Sequence, residues 1–404
     1  MAIAQNTAQT VALEAEKAGD RDALFVAAGQ LEDEIRRQIP RMDQERKLPG
    51  ELAETLADAG FFRMLAPAAV GGLEMEPLAA GEVVEALARI DGSTGWAAMV
   101  GAQWQWYVAL LPQEGQARIF GHPNLKVAGA RKPGGKARRV EGGYRVSGQW
   151  GFASGCTYAD WLAAACVVEE EPEAPPRKTP EVRVVYVPAN EATILDNWRT
   201  PGLRGTGSND FVLDGVFVPE ECTTVSPEPG SALHPGPLYR SAYQNLAYVL
   251  QAAQALGVAR GAFDSFVGLA AKRVRWVATS GLADDPVVRA TAAEAEVLIA
   301  SARAWLWAAA GDAWSTLVAG GEPSLEQRVQ LRLAITHAIR ASMRAADLLQ
   351  EASGAGALAE EHPLQRQWQD LRMAVAHVQA TPKIFELTGG LLLGANVPVS
   401  PALI

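Results

Sequence analysis

Cysteine is scarce in this chain. Cys156, Cys166 and Cys222 are the only three in 404 residues, and an odd number without metal-ligand spacing excludes a disulfide framework and suits free thiols in a reducing compartment, the cytoplasm. Blocks of basic residues are missing as well. With a formal net charge of −10, no stretch can neutralise a run of phosphates, so a nucleic-acid partner is not expected. The most apolar helical stretch, Leu298 to Ala310, follows Glu296 and contains Arg303; it is too short to span a bilayer. The first residues lack a basic segment followed by an apolar one, so no secretory signal is read there. The five histidines, His122, His234, His337, His362 and His377, form no i, i+4 pair and no cluster with the cysteines, and no metal is expected. Nor does a Gly-x-Gly-x-x-Gly turn join a strand to a helix. Gly202 to Gly207 has a different spacing and no helical pattern after it, which removes a nicotinamide site.

What is present is core-forming material, 49% of the residues being hydrophobic, enough for a large multi-domain unit. Residues 1–126 read as a helical domain. A helix from Pro49 stops at Gly60, Glu82 to Ile90 is amphipathic and stops at Asp91-Gly92, and Trp96 to Leu111 is unusually aromatic. Trp104, Trp106 and Tyr107 on that last helix are either buried packing residues or the wall of a pocket for a flat ligand. In residues 127–225 the period changes to two. Val140–Trp150, Trp161–Val168, Val182–Val187 and Phe211–Val218 read as strands, and the acidic, proline-rich 169–180 reads as a solvated hairpin loop. Ser226 to Pro237 marks the next boundary. Residues 226–404 are helical again, with long Ala- and Leu-rich segments over 246–271, 286–318, 324–352 and 365–380 that suit an antiparallel bundle.

The most informative stretch is Gly142 to Gly155, GGYRVSGQWGFASG. Tyr144, Val146 and Trp150 alternate as in a strand, and Phe152-Ala153-Ser154-Gly155 then breaks the pattern. An aromatic followed by a hydroxyl and a glycine offers a heterocycle a face, a donor at its edge and room for close backbone approach, an ordinary strand end with a buried Phe being the alternative. Farther on, WRTPGLRGTGSND from Trp198 to Asp210 leads into the strand at Phe211. With these two stretches stand Leu48-Pro49-Gly50-Glu51-Leu52, Gly60 to Pro67 with Gly71-Gly72, and Asp91-Gly92-Ser93-Thr94-Gly95-Trp96. Near the C-terminus come Gly354 to Leu358, and His362-Pro363-Leu364-Gln365-Arg366 with Asp370. In this order over nearly the whole chain, they resemble the acyl-CoA dehydrogenase fold in the version found in two-component flavin-dependent monooxygenases, the group of steroid-phenol hydroxylases and dibenzothiophene monooxygenases.

The resemblance implies an α+β, mainly α fold with an N-terminal helical domain, a central β-barrel-like domain and a C-terminal four-helix bundle, assembled as a homotetramer. It places Phe152, Ala153 and Ser154 along the flavin ring and Arg204, Gly205 and Thr206, with Gly207 and Ser208, in a second cofactor loop. Arg273, with Arg275, is a candidate for the flavin phosphate by rough position, a solvated helix end being the alternative. A position where several relatives carry a substrate-side histidine falls on Trp104, so Trp96, Trp104 and Trp106 become candidate substrate residues that recognise by stacking. The dehydrogenases use a glutamate near the C-terminus as base, but no glutamate lies between Asp370 and Glu386 here. His377 is the titratable group near that position, and histidine suits proton exchange near neutrality. The activity implied is that of an oxygenase component using reduced FMN from an NAD(P)H:flavin reductase, with FAD possible, and O2, through a flavin C4a-hydroperoxide, to oxygenate an aromatic, polycyclic or heteroatom-bearing small molecule. An FAD-dependent acyl-CoA dehydrogenase with Glu360 or Glu361 as a relocated base, and a non-catalytic binding protein, are the alternatives.

Overall fold

The computed structural model describes residues 2–170, 179–226, 233–240, 245–272 and 281–397. The chain is mostly helical, with one mixed sheet. In order it forms α1 (Ala2–Glu45), α2 (Gly50–Ala59), α3 (Pro77–Ile90), α4 (Gly92–Val108) and α5 (Gln113–Ile119), and then the strands. These are β1 (Val127–Val140), β2 (Gly143–Trp150), β3 (Trp161–Val168), β4 (Val182–Pro188), β5 (Thr193–Leu195), β6 (Asp210–Pro219) and β7 (Thr223–Ser226). The short α6 (Pro237–Arg240) precedes α7 (Asn245–Lys272), α8 (Pro286–Val318), α9 (Leu325–Ser353), α10 (Pro363–Val375) and α11 (Pro382–Leu392). No described helix is long and apolar enough to cross a membrane. The expected loop at 169–180 and boundary at 226–237 lie largely outside the described residues.

Two compact units divide the chain. The first comprises Met1–Val83, Ala97–Trp198 and Thr206–Ala242, and the second Val84–Trp96, Arg199–Gly205 and Tyr243–Ile404. In the first, seven strands run in the order β5-β6-β2-β1-β3-β4-β7. All pairs are antiparallel except β1 with β3. Tyr144, Val146, Trp150 and Phe211 turn inward with Leu162, Ala164 and Val185 to make the sheet's core, as the alternation requires. Trp150 stacks on Phe211 at 5.3 Å and its indole N–H donates to the Ala165 carbonyl at 2.6 Å. Burying so large a ring with its one polar atom satisfied is the sheet's principal apolar contribution, of order 2–3 kcal/mol.

The strand expected over 140–150 is two strands. Val140 ends β1, Gly142 turns with φ +76°, and β2 begins at Gly143. β1 itself escapes sequence reading because Pro133-Gly134-Gly135 looks like a breaker. The glycines are there for Trp150: a Cβ on Gly135 would lie 2.3 Å from its ring, and one on Gly148 2.9 Å from it.

In the second unit α9 packs against α7, α8, α10 and α11, and α7 also against α8 and α10. α8 and α9 agree with their expected bounds to within a residue, and Ser324 opens α9 with a reciprocal cap, Gln327 N–H to Ser324 Oγ at 3.1 Å and Ser324 N–H to Gln327 Oε1 at 2.9 Å. The expected helix over 365–380 stops at Val375 instead. Its last residues form a separate turn over 378–380 with His377 at its start, φ −68° and ψ 150°. Side chains of α9 take up the carbonyls that a continuing helix would have used: Thr336 Oγ1 donates to Gln379 O at 2.9 Å and Arg340 to Ala380 O at 3.1 Å.

Candidate functional site

In the first unit the strand β2 delivers a bent loop. Phe152 follows it with φ +60° and 78% of its surface exposed. An aromatic residue in left-handed backbone costs on the order of 1 kcal/mol or more, and exposure returns nothing for it in apolar burial. The Trp198 ring meets Phe152 edge-on at 6.3 Å. Backbone bonds zip this loop to residues 206–209: Ala153 N–H donates to Asn209 O at 3.2 Å and Gly155 N–H to Thr206 O at 3.0 Å. Asn209 Oδ1 accepts from Asn197 and Trp198 N–H at 3.0 and 2.8 Å. Three buried hydroxyls line up beneath, Ser154 Oγ to Ser208 Oγ at 2.6 Å and Ser208 Oγ to Thr206 Oγ1 at 2.7 Å. Ala153 is wholly buried in the sheet core, so it offers a ligand its backbone alone.

Also in this unit, Trp104 and Trp106 both pack on Tyr107, at 5.4 and 4.8 Å, and the Arg131 guanidinium lies 4.2 Å over the Tyr107 ring. All three rings are buried. Trp106 commits its indole N–H to Leu238 O at 2.8 Å, which fits a packing residue. Cys156 is buried beside the loop, its thiol pushed up to about 12 by desolvation, so it stays protonated and unreactive.

The second unit holds the remaining candidates. Asp91 opens α4, its Oδ2 accepting from Thr94 N–H at 2.7 Å and Thr94 Oγ1 at 2.8 Å, a helix cap. Its other oxygen takes the Arg366 guanidinium, which also lies 3.6 Å from Asp370. Asp370 in turn accepts from the Leu203 N–H at 2.6 Å. Leu203 has φ +49°, and a Cβ on Gly202 would stand 2.2 Å from the Gln369 carbonyl, so residues 199–205 lie pressed on α10 by two buried carboxylates and one arginine. Arg204 Nε, buried in that segment, has no hydrogen-bond partner among the described residues. Gly205 follows it, and Arg273 lies outside the described residues.

His377 faces Trp96, ring to ring at 5.9 Å and 73°. Its Nδ1 accepts from Gln379 N–H at 3.4 Å, which leaves the hydrogen on Nε2. Gln379 is gripped by Arg332 through its side chain and by Thr336 through its carbonyl. Arg332, Thr336 and Arg340 stand four residues apart on one stripe of α9. Burial, and then the Arg332 charge, pull the His377 pKa down to about 4. The ring is therefore neutral at pH 7, a donor at Nε2 rather than a half-protonated exchanger. Glu360 and Glu361 are exposed and lack the desolvation a thioester base needs.

Of the residues singled out from the sequence, the structure brings Trp96 and His377 together in one unit and places Phe152, Ser154, Trp104 and Trp106 in the other. Asn209, Arg332, Thr336 and Gln379, which tie these segments in place, were not singled out from the sequence. Ser208 stood inside a quoted motif; the α9 stripe carried no signal beyond its spacing of four.

Chemically, one unit offers an exposed aromatic face above buried hydroxyls, and the other a neutral imidazole against an indole. This fits a flat, redox-active heterocycle and a flat second molecule. Residues 25–118 match the acyl-CoA dehydrogenase N-terminal domain and residues 249–382 the acyl-CoA dehydrogenase C-terminal domain. The chain is 32% identical over 372 residues to the flavin-dependent monooxygenase oxygenase subunit HsaA of Mycobacterium tuberculosis, covering 90% of this chain and 93% of that one. It is 31% identical over 365 residues to indole-3-acetate monooxygenase of Pseudomonas putida, 89% and 90% of the two chains. To the oxygenase component of the FADH2-dependent resorcinol hydroxylase of Rhizobium sp. it is also 31% identical over 365 residues, 86% and 88%. The crystal structure of the M. tuberculosis HsaA monooxygenase superposes with a TM-score of 0.86 at 31% identity, over 94% of this chain and 99% of that one. The chain belongs to the flavin-dependent monooxygenases built on the acyl-CoA dehydrogenase fold.

Proposed function

We propose that the protein is the oxygenase component of a two-component system, taking reduced FMN or FAD from a separate reductase and inserting one atom of O2 into an aromatic, polycyclic or heteroatom-bearing small molecule. The observation that carries this is the neutral, partly buried His377 against Trp96 where a dehydrogenase would need a carboxylate. The bound reduced flavin supplies the electrons that activate dioxygen. In the first unit Phe152 offers its ring a face and the Ser154 hydroxyl its edge, with Thr206 as a further candidate; Arg204 and Gly205 are candidates of the second unit, and Arg273 remains the candidate for the phosphate. In the second unit Trp96 stacks on the substrate and His377 Nε2–H holds an acceptor atom of it; Trp104 and Trp106 remain candidate aromatic contacts of the first unit. Apolar packing keeps water from the reactive species.

A barrel-like closure of the β-domain, a C-terminal four-helix bundle, domain limits at 1–126, 127–225 and 226–404, a homotetrameric assembly and a cytoplasmic location complete the reading. The test is anaerobic titration with reduced FMN and reduced FAD, followed by rapid mixing with oxygenated buffer. A lasting absorbance distinct from both oxidised and reduced flavin supports an oxygenase. Tight binding of oxidised FAD, bleached by an acyl thioester, would overturn it. In the His377→Ala variant, flavin binding is retained and product per flavin oxidised falls by about 10²-fold, within the range of a positioned hydrogen-bonding group.

A further inference from the structure

Arg332 on α9 touches two side chains at once. Its guanidinium donates to the Gln379 side chain and lies 5.7 Å from the centroid of the Tyr248 ring, in the first turn of α7, a cation–π contact. Gln379 N–H in turn bonds Nδ1 of His377, whose ring meets Trp96. Successive contacts within the second unit thus join Tyr248 to the His377–Trp96 pair. Tyr248 differs from the tyrosines that serve packing. The Tyr144 hydroxyl accepts from Arg139 at 2.7 Å and the Tyr239 hydroxyl donates to the Leu65 carbonyl at 2.7 Å, as buried phenols ordinarily pair. Tyr248 is partly buried, and its hydroxyl makes no hydrogen bond among the described residues.

A ring steadied by a cation, with its polar tip unpaired, is what a binding residue presents: little freedom remains to be lost on binding, and the O–H can donate or accept. We propose that Tyr248 is a substrate-binding residue beside Trp96 and His377, its hydroxyl bonding a second polar atom of the substrate. The inference rests on the reading of that face given above and narrows the substrate class. His377 Nε2–H takes an acceptor atom, Tyr248 takes a separate hydroxyl or carbonyl, and Trp96 stacks on the ring system that carries both. The favoured substrate is then a flat aromatic with two polar substituents. One with a single substituent leaves one of the two groups unpaired, and a site built to bond a hydroxyl discriminates against the analogue without it.

The experiment measures dissociation constants by calorimetry for two matched pairs of probes, resorcinol with phenol and 2,7-dihydroxynaphthalene with 2-naphthol. It is run anaerobically with reduced FMN present, so that no turnover occurs, on the native protein, Tyr248→Phe and His377→Ala. Tyr248→Phe keeps the ring beside Arg332 and removes the hydroxyl alone. Expected is a native preference for the diol in at least one pair. In Tyr248→Phe that diol binds about tenfold more weakly while its mono-hydroxy partner stays within about twofold, and in His377→Ala both members weaken. Equal losses for the two members in Tyr248→Phe, or no loss in either, overturn the inference, and the losses in His377→Ala then leave the reading of the face intact. A native protein that prefers neither diol overturns the inference as well. If His377→Ala also changes no affinity, the substrate reading of the face falls with it.

Discussion

The loop pair of the first unit and the His377 turn of the second both hold a short irregular segment in place, with opposite materials. The groups described as tying the Ser154 loop to residues 206–209 are neutral: backbone amides, the Asn209 side chain and three hydroxyls. Around His377 and Leu203 the fixing groups are charges out of water, Arg332 wholly buried on one side and Asp91, Arg366 and Asp370 on the other. Neutral hydroxyls can turn over and accept a ligand in either sense. Buried charges cannot; they set a permanent field, and at His377 desolvation, with the Arg332 charge second, holds the imidazole neutral. The adaptable material lies where we propose the flavin, and the inflexible material where we propose the substrate.

The largest test of this contrast is removal of a charge from the second unit. Arg366→Leu leaves Asp91 and Asp370 facing each other unpaired, and the loss of stability is expected to be about 3–5 kcal/mol by urea denaturation. Ser154→Ala in the neutral loop is expected to cost about 1 kcal/mol; similar losses for the two would erase the distinction. Next comes pH. Because the folded His377 titrates at about 4 against an ordinary value of 6.5, the unfolded chain binds the extra proton between those values. Stability is then full above 6.5 and lost as pH falls toward 4, by about 2 kcal/mol between pH 7 and pH 5. His377→Gln should flatten that part of the profile, and a profile as steep as before would assign it to other groups. The smallest effect is at Phe152. Phe152→Gly relieves the positive φ and raises stability by about 0.5–1 kcal/mol, while flavin affinity falls. A variant that gains stability without losing affinity would remove Phe152 from the site.

Much of this was legible in the sequence for reasons that can be named. α8 was readable to the residue because Asp285-Pro286 and the Ala-rich period fix its start and course, and α2 because Gly60 adopts φ +96° at its end. Phe152 and Ser154 showed where the alternation of β2 breaks. His377 emerged from what its neighbourhood lacks. The end of α10 was hidden, because what stops it is Thr336 and Arg340, some forty residues earlier on another helix. Tertiary contacts of that kind leave no local trace. β1 was hidden by its own glycines, whose reason, the Trp150 ring, comes from the next strand.

The Leu203 amide carries one more consequence. An N–H in a segment without regular structure ordinarily exchanges its hydrogen for deuterium almost as fast as a free peptide. This one is bonded to the buried Asp370 carboxylate on α10, so it exchanges only when that helix opens. Residues 199–205 thereby lose the mobility their conformation would allow and inherit the opening rate of the helical core, and the guanidinium of Arg204 is presented from a surface as slow as the bundle itself.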